Sequence, residues 1–185
     1  MIIDMTLREI LDLIERDEWM MTVIRTAADL NLPDWIIGAG FVRNKVWDHL
    51  HGYMKEKVDT NDIDLVYFDS RGNDEKADKI LSRDLKVRTG MDWEIVNEAY
   101  AHKWSNVLAY TSTEDAIAQW PETATAVGVT MKDGKLKLIA PYGIDDLINM
   151  IIRPSPKFEG GVERVRERIK QKRWLEKWPK LTIVE

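Results

Sequence analysis

The chain has 185 residues, a mass of 21.5 kDa and a formal net charge of −5 from 27 basic and 32 acidic side chains. That length favours one hydrophobic core, which at this size removes roughly 70% of the unfolded chain's surface from water without a metal or disulfide staple. There is no cysteine, which excludes disulfide scaffolds, zinc fingers, iron-sulfur centres and thiol catalysis and fits a reducing, cytoplasmic setting. The N-terminus leads into an acidic amphipathic stretch and not a secretory signal. The longest run without a charge, Trp104 to Thr113, has ten residues. A membrane span needs roughly 20, so no membrane partner is expected.

The charge is unevenly spread: residues 153–185 carry net +5 and residues 1–152 carry net −10. Neutralising several phosphates takes a dedicated set of Lys and Arg, so the acidic balance weighs against nucleic acid as a partner. The expected organisation is one domain over 1–152, N-terminal helices included, with a basic helical extension over 153–185 packed on it.

In chain order, Thr6 with Glu9 forms a capping-box signature ahead of an amphipathic helix, and Trp19 to Ala27 continue as a second helix that ends near Pro33. Trp35-Ile36-Ile37 predicts a short buried strand running through Gly38-Ala39-Gly40 into a helix over Phe41 to Leu50. Asp62 to Phe68 predicts a central strand, followed by a polar helix from Asp74 to about Leu85 and a third strand at Trp93 to Val96. Ser112 and Asp115 mark a brief helix that stops before Pro121. Strands over Ala124 to Met131 and Leu136 to Ala140 flank an Asp133-Gly134 hairpin turn, and a helix is expected over Ile144 to Ile152. Pro154 and Pro156 form a rigid linker to a charged helix over Gly161 to Lys177. No repeat or low-complexity segment occurs.

The chemistry concentrates around Asp62-Ile63-Asp64. Side chains alternate along a strand, so Asp62 and Asp64 share one face while Ile63 and Leu65 pack on the other. Two carboxylates on one face repel unless cations sit between them, and with Glu94 on a neighbouring strand they make a candidate set for two magnesium ions. Gly38 and Gly40, lacking a Cβ, let backbone approach a ligand, and the helix N-terminus they open favours phosphate, with Arg43 and Lys45 one turn further on.

Taken together, Gly40-Phe41-Val42-Arg43-Asn44, Gly52 and Asp62-Ile63-Asp64-Leu65 resemble the nucleotidyltransferase superfamily that includes polymerase β and the CCA-adding enzymes. Glu94 to Asn97 with His102 and Trp104, Pro121 to Val129, and Pro141 to Leu147 resemble a bacterial nucleotidyltransferase-like family of unassigned substrate, over about Trp35 to Pro154. The resemblance implies an α/β (α+β) fold with a mixed sheet flanked by helices. It further implies magnesium held by Asp62, Asp64 and Glu94, and nucleotidyl transfer from a nucleoside triphosphate to an acceptor hydroxyl with release of pyrophosphate. The phosphate-binding segment would comprise Gly38, Ala39, Gly40, Arg43, Asn44 and Lys45. The sequence departs from the superfamily in Ala39-Gly40, where Gly-Ser or Gly-Gly is common, in Asn44, where CCA-adding enzymes usually have aspartate, and in a longer loop between Gly52 and Asp62.

Other readings fit less well. A dinucleotide fingerprint needs a small residue where Arg43 stands, and there is no Walker-type Gly-Lys loop. His49 and His51, two apart, do not share a helix face, and Asp145-Asp146 reads as a helix N-terminal pair. Trp174 and Trp178, one turn apart in the basic tail, suit an aromatic docking face better than a nucleic-acid surface. Two alternatives stay beside the enzyme: a non-catalytic nucleotide-binding module on the same fold, and a nucleic-acid-binding protein acting through the basic helix.

Overall fold

The computed structural model describes residues 5–54, 62–72, 75–100 and 109–184. His102 and Trp104 lie outside the described residues. Helix α1 (Leu7–Glu15) starts in the expected capping box: the Thr6 hydroxyl accepts the Glu9 amide at 3.3 Å and the Glu9 carboxylate accepts the Thr6 amide at 2.7 Å. Asp17 caps α2 (Glu18–Ala28) by accepting the Met20 amide at 2.9 Å. Strand β1 (Ile36–Gly38) passes into α3 (Gly40–His51), which ends on Gly52 in the left-handed region at φ +71°. Then follow β2 (Ile63–Tyr67), α4 (Glu75–Thr89), β3 (Trp93–Asn97), α5 (Thr113–Ile117), β4 (Gly128–Lys132) and β5 (Lys135–Ile139). The chain closes with α6 (Asp145–Ile148), β6 (Ile151–Ile152), α7 (Gly161–Lys172), α8 (Trp174–Lys177) and β7 (Thr182–Ile183).

The five-stranded sheet has the order β3-β2-β1-β4-β5. Only β2 and β3 run parallel, joined through α4, and the remaining pairs are antiparallel, so the sheet is mixed. The β4–β5 hairpin turns through Asp133 and Gly134, both at positive φ, as a two-residue primed turn requires. Ile37, Ile63, Leu65, Ile95 and Val129 point to one face, into a core shared with α1, α2 and α3. Among the described residues, the opposite face carries a small apolar cluster, Ile36, Val66 and Ile117 with Val96, Trp120 and Ile139 against it. Beside that cluster the same face presents carboxylates, which leaves it open to water and to ligands.

Four elements differ from the sequence expectation. Helix α4 runs on to Thr89 because Lys86 and Arg88 continue its solvent face up to Gly90 at φ +70°. Ala124 to Val127 form a buried turn ahead of β4: the Thr125 and Ala126 amides both donate to the Glu122 carbonyl at 2.9 Å, which takes them out of any ladder. Helix α6 stops at Ile148, Met150 takes φ +57°, and Ile151-Ile152 instead pair in parallel with Thr182-Ile183. The charged tail helix breaks at Arg173, φ +53°, into α7 and α8.

That break aims two indoles inward. Trp174 and Trp178 meet the Trp47 ring edge-on, with centroids 5.7 and 5.3 Å away, and the Trp178 indole N–H donates to the Asp48 carboxylate at 2.8 Å. Both are buried, which fits a docking face and removes them from any base-stacking surface. Trp178→Phe withdraws a donor from buried Asp48 and should cost about 1–3 kcal/mol in urea unfolding. Leu175→Ala, on the exposed side of α8, should change stability by no more than about 0.5 kcal/mol. Equal effects of the two would contradict this anchoring.

Candidate functional site

Parallel pairing of β2 with β3 sets Asp64 directly beside Glu94, with Val66 beside Val96 two residues on. Period-two alternation puts Asp62 and Asp64 on the open face, and the facing carboxylate oxygens of Asp62, Asp64 and Glu94 all lie within 4.8 Å of one another. These three acids floor a cleft of about 400 Å³ whose walls include Ala39, Trp120, Thr125, Arg168 and Lys172. A second lobe shares Asp62 and Asp64 and extends towards Gly40, Arg43, Asn44 and Trp174.

The electrostatics follow from this crowding. Burial, then the charges of Asp62 and Glu94, push the Asp64 carboxyl up to about 7, opposed by Arg43 and Lys172. A set of hard oxygen donors that resists ionising together suits a hard divalent cation such as magnesium, which replaces the repulsion with ligation.

The cations across the cleft are held by a connected network. The Arg168 Nε donates to buried Glu122 at 2.9 Å, whose other oxygen accepts the Thr125 hydroxyl at 2.6 Å. Thr125 in turn accepts Arg43 Nη1 at 2.7 Å, and Arg43 Nε and Nη2 both donate to Asn44 Oδ1, at 3.1 and 2.9 Å. The Arg43 guanidinium lies 4.3 Å over the Trp174 ring and 5.2 Å over Trp47. Burial lowers its pKa to about 10, so it stays charged at neutral pH.

The structure gathers most, not all, of the sequence candidates. Ala39, Gly40, Arg43, Asn44, Asp62 and Asp64 meet in one lobe, and Glu94 joins in the other. Lys45 points away and pairs with Asp17 of α2 at 2.6 Å, because successive helix residues face different directions. Gly38 is a packing glycine: a Cβ there would sit 2.7 Å from the Trp120 ring and 2.8 Å from the Val127 carbonyl. Ala39 takes φ +52° and ψ −122°, a conformation that disfavours side chains, and its amide donates to Val127 at 3.1 Å. His49 is exposed, whereas His51 accepts the Lys180 amide at 3.1 Å; neither lines the cleft. Asp146 pairs with Arg153 at 3.0 Å and accepts the Thr123 hydroxyl, a structural role. Sequence reasoning missed Arg168, Lys172, Trp120, Thr125 and Glu98, all of which line the cleft. Arg168 and Lys172 are four apart on α7, a helical spacing legible in the sequence, but what they face was not.

The chain thus presents a mixed sheet with an open acidic face beside a helix entered through a glycine turn. A nucleotidyltransferase family profile matches residues 25–183, and the chain belongs to that family. A structure solved by NMR and described as revealing a CCA-adding enzyme head domain is 30% identical over the full length of both chains, with a TM-score of 0.85. The Thermotoga maritima CCA-adding enzyme complexed with tRNA shares the fold at 20% identity and TM-score 0.59, over 94% of this chain and 42% of that one. A CCA-adding enzyme in complex with CTP does so at 20% identity and TM-score 0.57, over 100% of this chain and 44% of that one. The chain therefore spans less than half the length of those two enzymes. No curated protein sequence matches it. Among the described residues, no helix is long and apolar enough to cross a membrane.

The raised carboxyls set a pH dependence. Glu98 is also pushed up to about 7, by burial. Between the ordinary carboxylate range and about pH 7, folded protein keeps protons on Asp64 and Glu98 that the unfolded chain has released. Stability without metal should therefore fall as pH rises through that window. In EDTA, Tm should be lower at pH 8 than at pH 5.5 by several degrees, given that about 1 kcal/mol moves it roughly 2–4 °C at this size. Asp64→Asn should shrink the difference, leaving the Glu98 share. A variant with the full wild-type pH dependence would contradict the crowding described here.

Proposed function

We propose that the chain is a magnesium-dependent nucleotidyltransferase that moves a nucleoside monophosphate from a nucleoside triphosphate to an acceptor hydroxyl. The observation that carries this reading is the convergence of Asp62, Asp64 and Glu94, from two parallel strands, on one open cleft faced by cations. Asp62, Asp64 and Glu94 would hold magnesium, as two ions. When bound, magnesium neutralises phosphate charge and lowers the pKa of an acceptor hydroxyl. CCA-adding enzymes of this fold have been solved with CTP and with ATP, which supports a nucleoside triphosphate as substrate. The cytoplasm suits a chain without cysteine.

The chain's own residues supply the rest. The first amides of the 12-residue helix α3, beginning at Gly40 on the cleft wall, face a triphosphate with unsatisfied N–H groups. Arg43, Arg168 and Lys172 offset phosphate charge, with Asn44 and Thr125 holding the Arg43 guanidinium in place. Glu94 is the exposed member of the triad and takes the proton of the attacking hydroxyl. The acceptor oxygen forms a bond to the α-phosphorus, the bond from that phosphorus to the bridging oxygen of the β-phosphate breaks, and its electron pair leaves with pyrophosphate.

Glu94→Gln keeps the side chain's shape and should leave the Kd for CTP with magnesium within about threefold while lowering label transfer from α-labelled CTP at least roughly 100-fold. Transfer at the wild-type rate would remove Glu94 from the reaction. Intact nucleotide binding with no transfer by the wild type would favour the binding module.

A further inference from the structure

Among the described residues, two arginines line the cleft, and they are committed differently. All three guanidinium nitrogens of Arg43 are bonded: Nε and Nη2 donate to Asn44 Oδ1, and Nη1 donates to the Thr125 hydroxyl. Arg168 gives only its Nε, to Glu122 at 2.9 Å, and lines both lobes beside Asp62 and Asp64. Among the described residues nothing accepts from its Nη1 or Nη2. The outer edge of the fork, two parallel donors on a side chain 30% exposed, is left for a ligand. Lys172, one turn further along α7, lines the same two lobes and makes no ion pair among the described residues.

Glu122 does more than staple α7 to the sheet domain. Its side chain is 1% exposed and its cationic partner is partly in water, an arrangement whose desolvation cost is rarely repaid in stability. The docking of α7 has other sources. Val165 and Ile169 bury its inner face, and the Trp178 indole N–H holds the segment behind it to Asp48. The chain leading into it is tied by the Thr123 amide donating to the Arg153 carbonyl at 3.0 Å and the Ser155 amide donating to the Pro121 carbonyl at 2.9 Å. These bonds lie on either side of Glu122, whose own carbonyl accepts the Thr125 and Ala126 amides. The backbone is thereby fixed, and one carboxylate oxygen meets Thr125 while the other meets Arg168.

Resting on the nucleotidyltransferase reading, we propose that Arg168 grips a phosphate of the nucleotide directly, as a two-bond fork through Nη1 and Nη2, and that Glu122 is the positioning residue that aims it. Anchoring Nε in advance reduces the side-chain freedom lost when the phosphate arrives. Arg43, with its nitrogens taken, contributes charge and not contact. Lysine cannot replace Arg168, because an ammonium supplies the charge without the planar fork.

The test measures, on the full chain, the Kd for CTP with magnesium and the binding of manganese without nucleotide. Arg168→Lys keeps the charge and loses the fork; Glu122→Gln keeps the shape and loses the charge that holds it. Each should raise the CTP Kd at least about tenfold, and the double variant should lie within about threefold of the more impaired single one, with manganese affinity within about twofold of wild type. In Arg168→Ala, guanidinium chloride far below unfolding concentrations should tighten CTP binding at least about fivefold over sodium chloride of equal ionic strength, and adding Glu122→Gln should abolish that rescue. CTP binding at wild-type strength in either single variant, effects that add in the double variant, or rescue that is absent or persists without the Glu122 carboxylate overturns the proposal. Loss of manganese binding in the single variants also overturns it, since the pair would then be a staple of the fold; the Arg168→Lys and Glu122→Gln comparison decides even if Arg168→Ala does not fold. All these outcomes leave magnesium-dependent CTP binding by the wild type intact. Its absence would instead overturn the nucleotidyltransferase reading, and this inference with it.

Discussion

The register of β2 against β3 forces like charges together: parallel pairing of Asp64 with Glu94, with Asp62 two residues back on the same face, puts three carboxylates within reach of one another. In water such charges would separate, but here Ile63 and Leu65 on the opposite face are buried in the main core and fix the strand. A slip of one residue would expose those apolar side chains and bury the acids, so the cost of crowding is enforced by the hydrophobic core. The raised Asp64 carboxyl is the electrostatic record of that compromise.

The cations opposite are organised with comparable care. Arg43 is buried at 6% exposure; burial lowers its pKa against the charges of Glu122 and Asp64, while Asn44 and Thr125 accept its hydrogen bonds and the Trp174 and Trp47 rings lie beside it. Glu122, at 1% exposure, ties the same hydroxyl to Arg168 of α7. Removing one member of such a network strands a buried charge, so its parts hold one another in a single arrangement. The C-terminal segment is consequently part of the cleft wall: it covers Arg43 with Trp174, anchors itself through Trp178 on Asp48, and brings Arg168 and Lys172 to the acids.

The acid triad was legible because its signal is local. Asp-x-Asp among β-formers fixes a face by alternation, and Glu94 sits in a second short strand that a parallel sheet can place alongside. The helices α1 and α2 were legible from caps and period, and the hairpin from Asp133-Gly134. What was hidden depended on contacts between distant residues. Nothing near Arg168 announces that Glu122, 46 residues earlier, will hold it over the cleft. The Ile151-Ile152 stretch read as helix because its strand partner is Thr182-Ile183. Gly38 and Lys45 matched a phosphate-binding pattern by spacing, yet Trp120 fills the space beside one and Asp17 captures the other. Glu98 carried no signal at all, since its place on the cleft wall is a property of the folded chain alone.

The central claim is that the β2 and β3 carboxylates form a divalent-cation site that works together with a nucleoside triphosphate. Manganese is a paramagnetic substitute for magnesium whose free and bound forms are distinguished by electron paramagnetic resonance. Titrating manganese into the wild type should show binding that tightens when CTP is present, and Asp62→Asn with Asp64→Asn should abolish both the binding and its coupling to CTP while the protein stays folded. Manganese binding of equal strength in the double variant, or a CTP effect that survives the loss of both aspartates, would contradict the account.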